Sequence, residues 1–206
     1  MPPPRSSRPT SPPATSGAAA ASVDPASLHI VNHPASVLHR KATHTPTADA
    51  HTRAVGGRML ELMREAEGIG LAAPQVGLGW RMFILHVPED AEDDRLASAD
   101  PPTATTGPRI YIDPVITAFV GPPEPFEEGC LSLPEIRGEV LRPPQVTVTA
   151  LDEHGERFTH SAGGLLARCI QHELDHLNGI LIIDKMLQTS RMKNKKKIKE
   201  LEAEGG

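Results

Sequence analysis

A pair of histidines four residues apart, with a glutamate directly after the first, is the pattern in this sequence best suited to chemistry. The residues read His172-Glu173-Leu174-Asp175-His176. On an α-helix, residues four apart share one face and lie about one turn of 5.4 Å apart, so both imidazoles can bind one metal ion. Glu173 stands beside them and can handle the proton of a metal-bound water. The alternative is two solvated histidines on a surface helix.

Two histidines leave a catalytic metal short of its usual three protein ligands, and either of the two cysteines could be the third. Cys169 shares the helix face, but a metal held by both histidines would lie about 7.5 Å beyond it along the axis. A metal–sulfur bond of about 2.3 Å cannot span that gap. The spacing therefore predicts that Cys169 is a core residue and leaves Cys130 as the candidate third ligand. For Cys130 two alternatives stay open: a buried structural thiol, which is the usual role of a lone cysteine, and a disulfide with Cys169.

A segment rich in glycine and alanine, GIGLAAPQVG at residues 68–77, is a further candidate. Glycine and alanine let a backbone approach a ligand closely. Gln75 is the one polar side chain in this apolar stretch, and a buried amide needs a hydrogen-bond partner. We expect Gln75 to serve a ligand; the alternative is an ordinary loop with a solvated glutamine. The glycine spacing does not match a phosphate-binding loop.

Two helices are predicted around these segments. Apolar residues at helical spacing predict the first over residues 49–67, with Gly68 in the left-handed position that ends it. The second is predicted over residues 165–178, with Gly179 as its stop, and it carries the histidine pair.

Strands are predicted mainly between these two helices. Asp113-Pro114 is expected to separate two of them, and the last two are expected to form a hairpin. The segments concerned are residues 29–31, 80–87, 110–112, 115–120, 146–150 and 156–160. Strands that come before a late helix indicate an α+β domain.

Composition divides the 206-residue chain into parts. Seven of its 21 prolines lie in the first 25 residues, and residues 1–26 are predicted to be a disordered tail. Residues 88–108 are predicted to be an exposed acidic loop, inside a catalytic domain spanning residues 27–188. Residues 189–206 are predicted to be a basic helical extension. No apolar run approaches the roughly 18 residues that a membrane span needs, and a formal net charge of −5 gives no general surface for DNA.

The segments GIGLAAPQ, EGCLS and QHELDH, in that order, resemble the three signature motifs of the peptide deformylase family. The similarity extends from about residue 28 to residue 186, interrupted by the acidic loop. The resemblance implies an α+β fold in which small mixed or antiparallel sheets pack around a central helix with the histidine pair. It also implies an activity: a metal-bound water hydrolyses the N-terminal formyl group of formyl-methionine on nascent polypeptides.

The resemblance implies a ligand set for one divalent metal, namely Cys130, His172 and His176. Iron(II) is the expected ion, and zinc, nickel or cobalt can occupy such a site. Glu173 is implied to be the general acid and base. These roles follow from the resemblance and add to what the helical spacing indicates.

The resemblance further implies how a substrate is held. The side chain of Gln75 and the backbone N–H of Leu131 are implied to stabilise the oxyanion. Gly70 and Gly129 are implied to border the substrate peptide. We also expect Arg142 to pair with Glu128 and so fix the loop that carries the cysteine.

Two other functions are considered. One is a general peptidase with the same histidine pattern, which the cysteine and the EGCLS segment disfavour. The other is an inactive module that binds ribosomes, because residues 189–206 carry a net charge of about +3, six basic residues against three acidic ones. In the active enzyme the functional interpretation of the same segment is binding of ribosomal RNA through phosphate contacts. The alternative is a solvated helix with local Lys–Glu pairs. We expect a cytoplasmic protein without membrane or DNA partners; organellar targeting by residues 1–26 is less favoured.

Overall fold

A computed structural model describes residues 23–90, 93 and 95–204. Most of the predicted N-terminal tail lies outside the described residues. The helices are α1 (Ala50–Glu65), α2 (Gly164–Leu177), α3 (Ile182–Lys185) and α4 (Gln188–Glu204), and short 3-10 turns span Pro25–Ser27, Ser36–His39 and Ala73–Val76. The strands are β1 (Gly70–Ala72), β2 (Met82–Leu85), β3 (Arg109–Val120), β4 (Glu124–Cys130), β5 (Leu133–Arg142), β6 (Gln145–Leu151) and β7 (Arg157–Gly163).

The strands form two sheets. Five of them lie in the order β1-β2-β3-β6-β7, and β4 pairs with β5 in a separate two-stranded sheet. Neighbouring strands are antiparallel throughout both sheets. Helix α2 and α1 each bury apolar residues against the larger sheet, and α3 and α4 share a third apolar cluster with β5. The predicted α+β fold, with small antiparallel sheets around the histidine-bearing helix, is confirmed.

Both predicted helices are present, and their ends explain where the chain turns. The Asp49 carboxylate caps α1 by accepting a hydrogen bond from the Thr52 N–H at 2.9 Å. Helix α2 ends at Leu177, and Gly179 has a φ of +73°, as expected of its stop. The prediction for Gly68 was wrong, because Glu67 takes the left-handed conformation with a φ of +54°. Gly68 is needed for space instead, since a Cβ there would lie 2.8 Å from Leu131 Cδ1.

Several strand predictions need correction. Strand β3 continues through Asp113, where a φ of +49° and a shift of register produce a bulge instead of a break. The Asp113 carboxylate stabilises the bulge by accepting a hydrogen bond from the Thr45 N–H at 3.0 Å. Residues 29–31 form no strand, although the Val31 N–H donates to the Gln75 carbonyl. Strand β2 is shorter than predicted but fully buried, and β6 and β7 form the predicted hairpin.

The acidic loop is only partly exposed. Its described residues contain no helix or strand, as predicted. Ala104 and Thr105 are buried, however, and the Thr105 hydroxyl accepts a hydrogen bond from the Val87 N–H. The second half of the loop therefore packs against the domain, because these small side chains fit beside the end of β2. Among the described residues, no helix combines the length and apolarity needed to cross a membrane.

Candidate active site

Three side chains from β4 and α2 converge on one point. The Cys130 Sγ lies 3.3 Å from the His176 Nε2, and the Nε2 atoms of His172 and His176 are 3.2 Å apart. All three ligand atoms lie within 4.8 Å of one another, which no other set of three His, Cys, Asp or Glu side chains in the described ranges does. Burial lowers the pKa of His176, so its imidazole is neutral and offers a lone pair. One thiolate and two imidazoles fit a divalent ion with a free coordination position.

Cys169 is excluded from this cluster, as the helix geometry predicts. Its thiol is buried beside Leu166 and Ile170 and donates a long hydrogen bond to the Ile69 carbonyl at 3.7 Å. Burial raises the pKa of this thiol, so it stays protonated and is a poor ligand. Both cysteines are free, which rules out the alternative of a disulfide between Cys130 and Cys169.

Glu173 follows His172 on α2 and is 3% exposed. Its Oε2 has no hydrogen-bond partner among the described residues. Burial raises the pKa of Glu173 to about 7, close to the value that suits a group that both accepts and returns a proton. Gly70 makes room for this carboxylate, because a Cβ at residue 70 would lie 2.3 Å from the Glu173 Oε1. The glycine predicted to border the substrate therefore also fixes where the carboxylate can be.

The hydrogen bonds of Gln75 determine which end of its amide faces the cluster. The Ala72 N–H donates to Gln75 Oε1 at 2.8 Å, so the amide nitrogen must point the other way. That Nε2 lies 3.6 Å from Cys130 Sγ and 3.3 Å from Ser132 Oγ. Gln75 thus presents hydrogen-bond donors to the point where the ligand atoms meet.

A buried carboxylate, Glu128, connects the cysteine loop to α2. Arg142 donates to both of its oxygens, at 2.7 and 2.9 Å, which confirms the predicted pair. His172 Nδ1 lies 3.0 Å from Glu128 Oε2, so the other ring nitrogen faces the metal position. Burial alone would raise the pKa of Glu128, but the contacts with His172 and Arg142 hold it well below its usual range. The carboxylate is therefore ionised and orients the imidazole.

An open cleft of about 640 Å³ leads to the cluster. The walls include every predicted site residue except His176, which is buried. Phe126 and Arg168 are among the lining residues that were not predicted. The Arg168 Cζ lies 5.1 Å from the centre of the Phe126 ring. A signal for Arg168 was present in the sequence, because it stands four residues before His172 on the same helix face.

Comparisons with known proteins point to one family. The family model described as "Polypeptide deformylase" matches residues 27–192. The peptide deformylase of Opitutus terrae is 42% identical over 174 residues, covering 80% of this chain and 88% of that protein. The peptide deformylase of Neisseria gonorrhoeae is 39% identical over 173 residues, covering 84% of this chain and 95% of that protein.

Solved structures give the same result. The crystal structure of peptide deformylase from Ehrlichia chaffeensis superposes with a TM-score of 0.76 at 32% identity, covering 86% of this chain and 96% of that one. A plant peptide deformylase superposes with a TM-score of 0.75 at 33% identity, covering 86% and 90%. Since the fold, the motifs and a cysteine–histidine cluster all agree, the chain belongs to the polypeptide deformylase family and is a hydrolase that removes the N-formyl group from nascent polypeptides.

Proposed function

We propose that this deformylase uses one divalent metal held by Cys130, His172 and His176, with Glu173 as general acid and base. The observation that carries the proposal is the convergence of three potential ligand atoms within 4.8 Å, beside a buried carboxylate oxygen that has no hydrogen-bond partner among the residues the structure describes. The protein's own residues thus provide both a metal position and a proton carrier at the end of one cleft.

Cys130, His172 and His176 would hold the ion, which when bound would supply Lewis-acid chemistry, lowering the pKa of a water molecule and polarising the formyl carbonyl. Glu173 takes the proton of the attacking water and delivers it to the leaving amine. Its pKa, which burial raises to about 7, suits both steps. The Gln75 amide and the backbone N–H of Leu131 donate hydrogen bonds to the oxygen on which negative charge develops. Gly70 and Gly129 line the cleft and let the peptide backbone approach.

The first prediction concerns Glu173→Ala. We expect this variant to keep one metal per chain and to lose turnover of a formyl-methionyl peptide by about 10²-fold or more, because the proton carrier is gone. Metal analysis and a peptide assay on the same preparation measure both quantities. Loss of the metal together with activity would show that Glu173 is structural and would contradict the mechanism.

Two cysteine variants provide the matched comparison. Cys130→Ser should lose the metal, whereas Cys169→Ser should keep it, because only the former side chain lies in the cluster. The reverse pattern would exclude the proposed ligand set. An acetylated peptide as substrate separates this activity from that of a general peptidase, since a deformylase should leave it intact.

Iron(II) is the proposed ion, with zinc, nickel or cobalt able to replace it. A thiolate and two imidazoles suit a borderline-soft cation. The second prediction is that the iron-loaded enzyme loses activity in air while the nickel- or zinc-loaded enzyme keeps it, because a thiolate next to redox-active iron can be oxidised. Activity is followed over hours with and without oxygen. Equal air stability of all three forms would argue against iron.

We also propose that residues 27–188 form the catalytic unit and that residues 189–206 bind ribosomal RNA in the cytoplasm. Support comes from α4, where Lys195 and Lys199 are exposed along one side of the helix, next to Arg191, whose guanidinium donates to the Ile183 carbonyl. Exposed cations one turn apart on a helix suit contacts with phosphates. Targeting of an organelle by residues 1–26, which are mostly outside the described residues, is the less favoured alternative.

A further inference from the structure

Strand β4 and helix α2 meet along three matched pairs of side chains, and metal ligands form the last pair. The first pair is Phe126 with Arg168, whose Cζ lies 5.1 Å from the ring centre. The second is Glu128 with His172, at 3.0 Å between Oε2 and Nδ1. The third is Cys130 with His176, at 3.3 Å between Sγ and Nε2. The pairs advance by two residues on the strand and by four on the helix.

The two periods match in length, which explains why three consecutive pairs stay aligned. Two residues of a β-strand span about 6.6 Å, and four residues of an α-helix span about 6 Å. Over two steps the strand and the helix differ by only about 1 Å. The contact in the first pair therefore helps to determine how the strand and the helix are aligned at the second and third pairs.

Arg168 donates three hydrogen bonds to the smaller sheet, in addition to lining the cleft. Its Nη1 donates to Glu128 Oε1 at 2.9 Å and to the Val140 carbonyl at 3.0 Å. Its Nη2 donates to the Glu124 carbonyl at 2.9 Å, and the side chain is 11% exposed. One guanidinium thus ties α2 to both strands of the smaller sheet and to the second pair.

Side-chain contacts of this kind matter because, among the described residues, the backbone hydrogen bonds of the smaller sheet reach residues 33, 186 and 187 and do not reach α2 or the larger sheet. In the described part of the chain, β4 and β5 form a sheet separate from the five strands packed against α2. Two of the metal ligands lie on α2, and the third lies at the end of β4. The distance between thiolate and imidazoles therefore depends on how β4 is held against the helix.

We propose that Arg168 is a positioning residue that fixes the register of β4 against α2 and so places the Cys130 thiolate beside the two histidines. This inference rests on the ligand set of the proposed function. Arg168 does not touch the metal or the reacting atoms; it acts through Phe126, Glu128 and the carbonyls of the smaller sheet. Its planar fork of donors matters as well as its charge, because three acceptors are held at once.

The test uses the full chain loaded with cobalt(II), whose thiolate charge-transfer absorption reports the metal–sulfur bond. Arg168→Met should weaken cobalt affinity by about 10- to 100-fold, the usual effect of losing a residue that orients ligands, and should diminish the thiolate band. Arg168→Lys keeps the charge without the fork and should fall between wild type and Arg168→Met. Affinity is measured by competition with a chelator, and thermal unfolding of the metal-free variants shows that they fold.

Arg81→Met is the matched control. Arg81 also anchors α2, but at its other end, by donating to the Leu177 and Pro114 carbonyls at 3.4 and 3.3 Å. This variant should lower the melting temperature while keeping the thiolate band. A band and an affinity unchanged in Arg168→Met would overturn the proposal, and so would an equal loss in Arg81→Met. Cys130→Ser distinguishes failure of the ligand set from failure of the positioning role of Arg168. If this variant keeps the wild-type thiolate band, the ligand set itself is wrong.

Discussion

At the scale of single residues, the absence of a side chain at Gly70 determines where the buried Glu173 carboxylate can lie. The backbone at Gly70 approaches α2 so closely that a Cβ would lie 2.3 Å from Glu173 Oε1 and 2.8 Å from Cys169 Sγ. Glu173 is fully packed on that side and has no partner for its other oxygen within the described ranges. The lack of a side chain at Gly70 is therefore required for the observed position of the Glu173 carboxylate.

The third prediction follows from this contact. Gly70→Ala should displace the Glu173 carboxylate and reduce kcat by about 10²-fold or more, the typical contribution of a general acid and base, while the metal stays bound. The peptide assay and metal analysis measure the two effects. A kcat within about threefold of wild type would contradict the prediction, because the activation free energy would then have changed by no more than about 0.65 kcal/mol.

Gly57→Ala is the control for this prediction. Gly57 is exposed on α1, and a Cβ there has no neighbour within 4 Å. The substitution should leave kcat unchanged and stabilise the protein by about 1 kcal/mol, the difference in helix propensity between the two residues. Together the two variants separate the loss of a glycine from the loss of space beside Glu173.

At the scale of elements, short-range sequence patterns correctly predicted features that depend on helix geometry alone. The histidine spacing predicted that both imidazoles lie on one face of α2, and the helix rise predicted that Cys169 stays outside their cluster with Cys130. Tertiary contacts overrode local signals elsewhere: Asp113 sustains a bulge in β3 because its carboxylate bonds the Thr45 N–H, 68 residues away. The contacts of Arg168 also escaped prediction, because the register between β4 and α2 joins residues about 40 apart and leaves no short-range pattern.

Helix α4 is divided into an attached side and a free side. The Ser190 hydroxyl accepts from the Glu139 N–H, Asn194 donates to the Arg137 carbonyl, and Lys197 donates to the Glu135 carbonyl. These contacts cover the outer edge of β5, so deleting the helix would disturb the smaller sheet. Substitutions on the free side are therefore the proper test of the ribosome proposal.

The fourth prediction is that Lys195→Glu/Lys199→Glu weakens co-sedimentation with ribosomes. The loss should be largest at low salt, because each phosphate contact releases counterions. Turnover of a short formyl-methionyl peptide should stay unchanged, since neither residue lines the cleft. Arg40→Glu/Lys41→Glu makes the same change of charge at exposed residues outside α4. Equal weakening by both double variants would point to general charge attraction and would contradict a specific surface.

At the scale of the whole molecule, the core contains an ionisable group, Tyr111. The phenol is fully buried, stacks on Phe83 with ring centres 4.7 Å apart, and lies 2.9 Å from His160 Nε2. His160 Nδ1 lies 3.1 Å from the Ser161 carbonyl and donates to it, so Nε2 accepts the phenol proton. Burial raises the pKa of Tyr111 well above its ordinary value. The folded protein therefore holds this proton at pH values where the unfolded chain releases it.

The fifth prediction is a loss of stability at alkaline pH. Since the folded pKa is raised, the contribution of Tyr111 is fully present below the unfolded pKa of about 10 and falls by up to about 1.4 kcal/mol for each pH unit above it. Urea unfolding between pH 8 and 11 should show a steeper decline in wild type than in Tyr111→Phe. Tyr111 is the only tyrosine, so absorbance of the phenolate at 295 nm reports it alone. Its appearance near pH 10 before unfolding would contradict the prediction.

The separation of the two sheets has a consequence for how the protein responds to its ligands. The smaller sheet forms one wall of the cleft, and a two-stranded sheet on its own is marginally stable. An ion shared by β4 and α2 would add its binding free energy to the docking of that wall. Ion and peptide would then each raise the affinity for the other by the same factor, as thermodynamic linkage requires. The metal-free protein would then bind peptides more weakly, in addition to losing its catalytic activity.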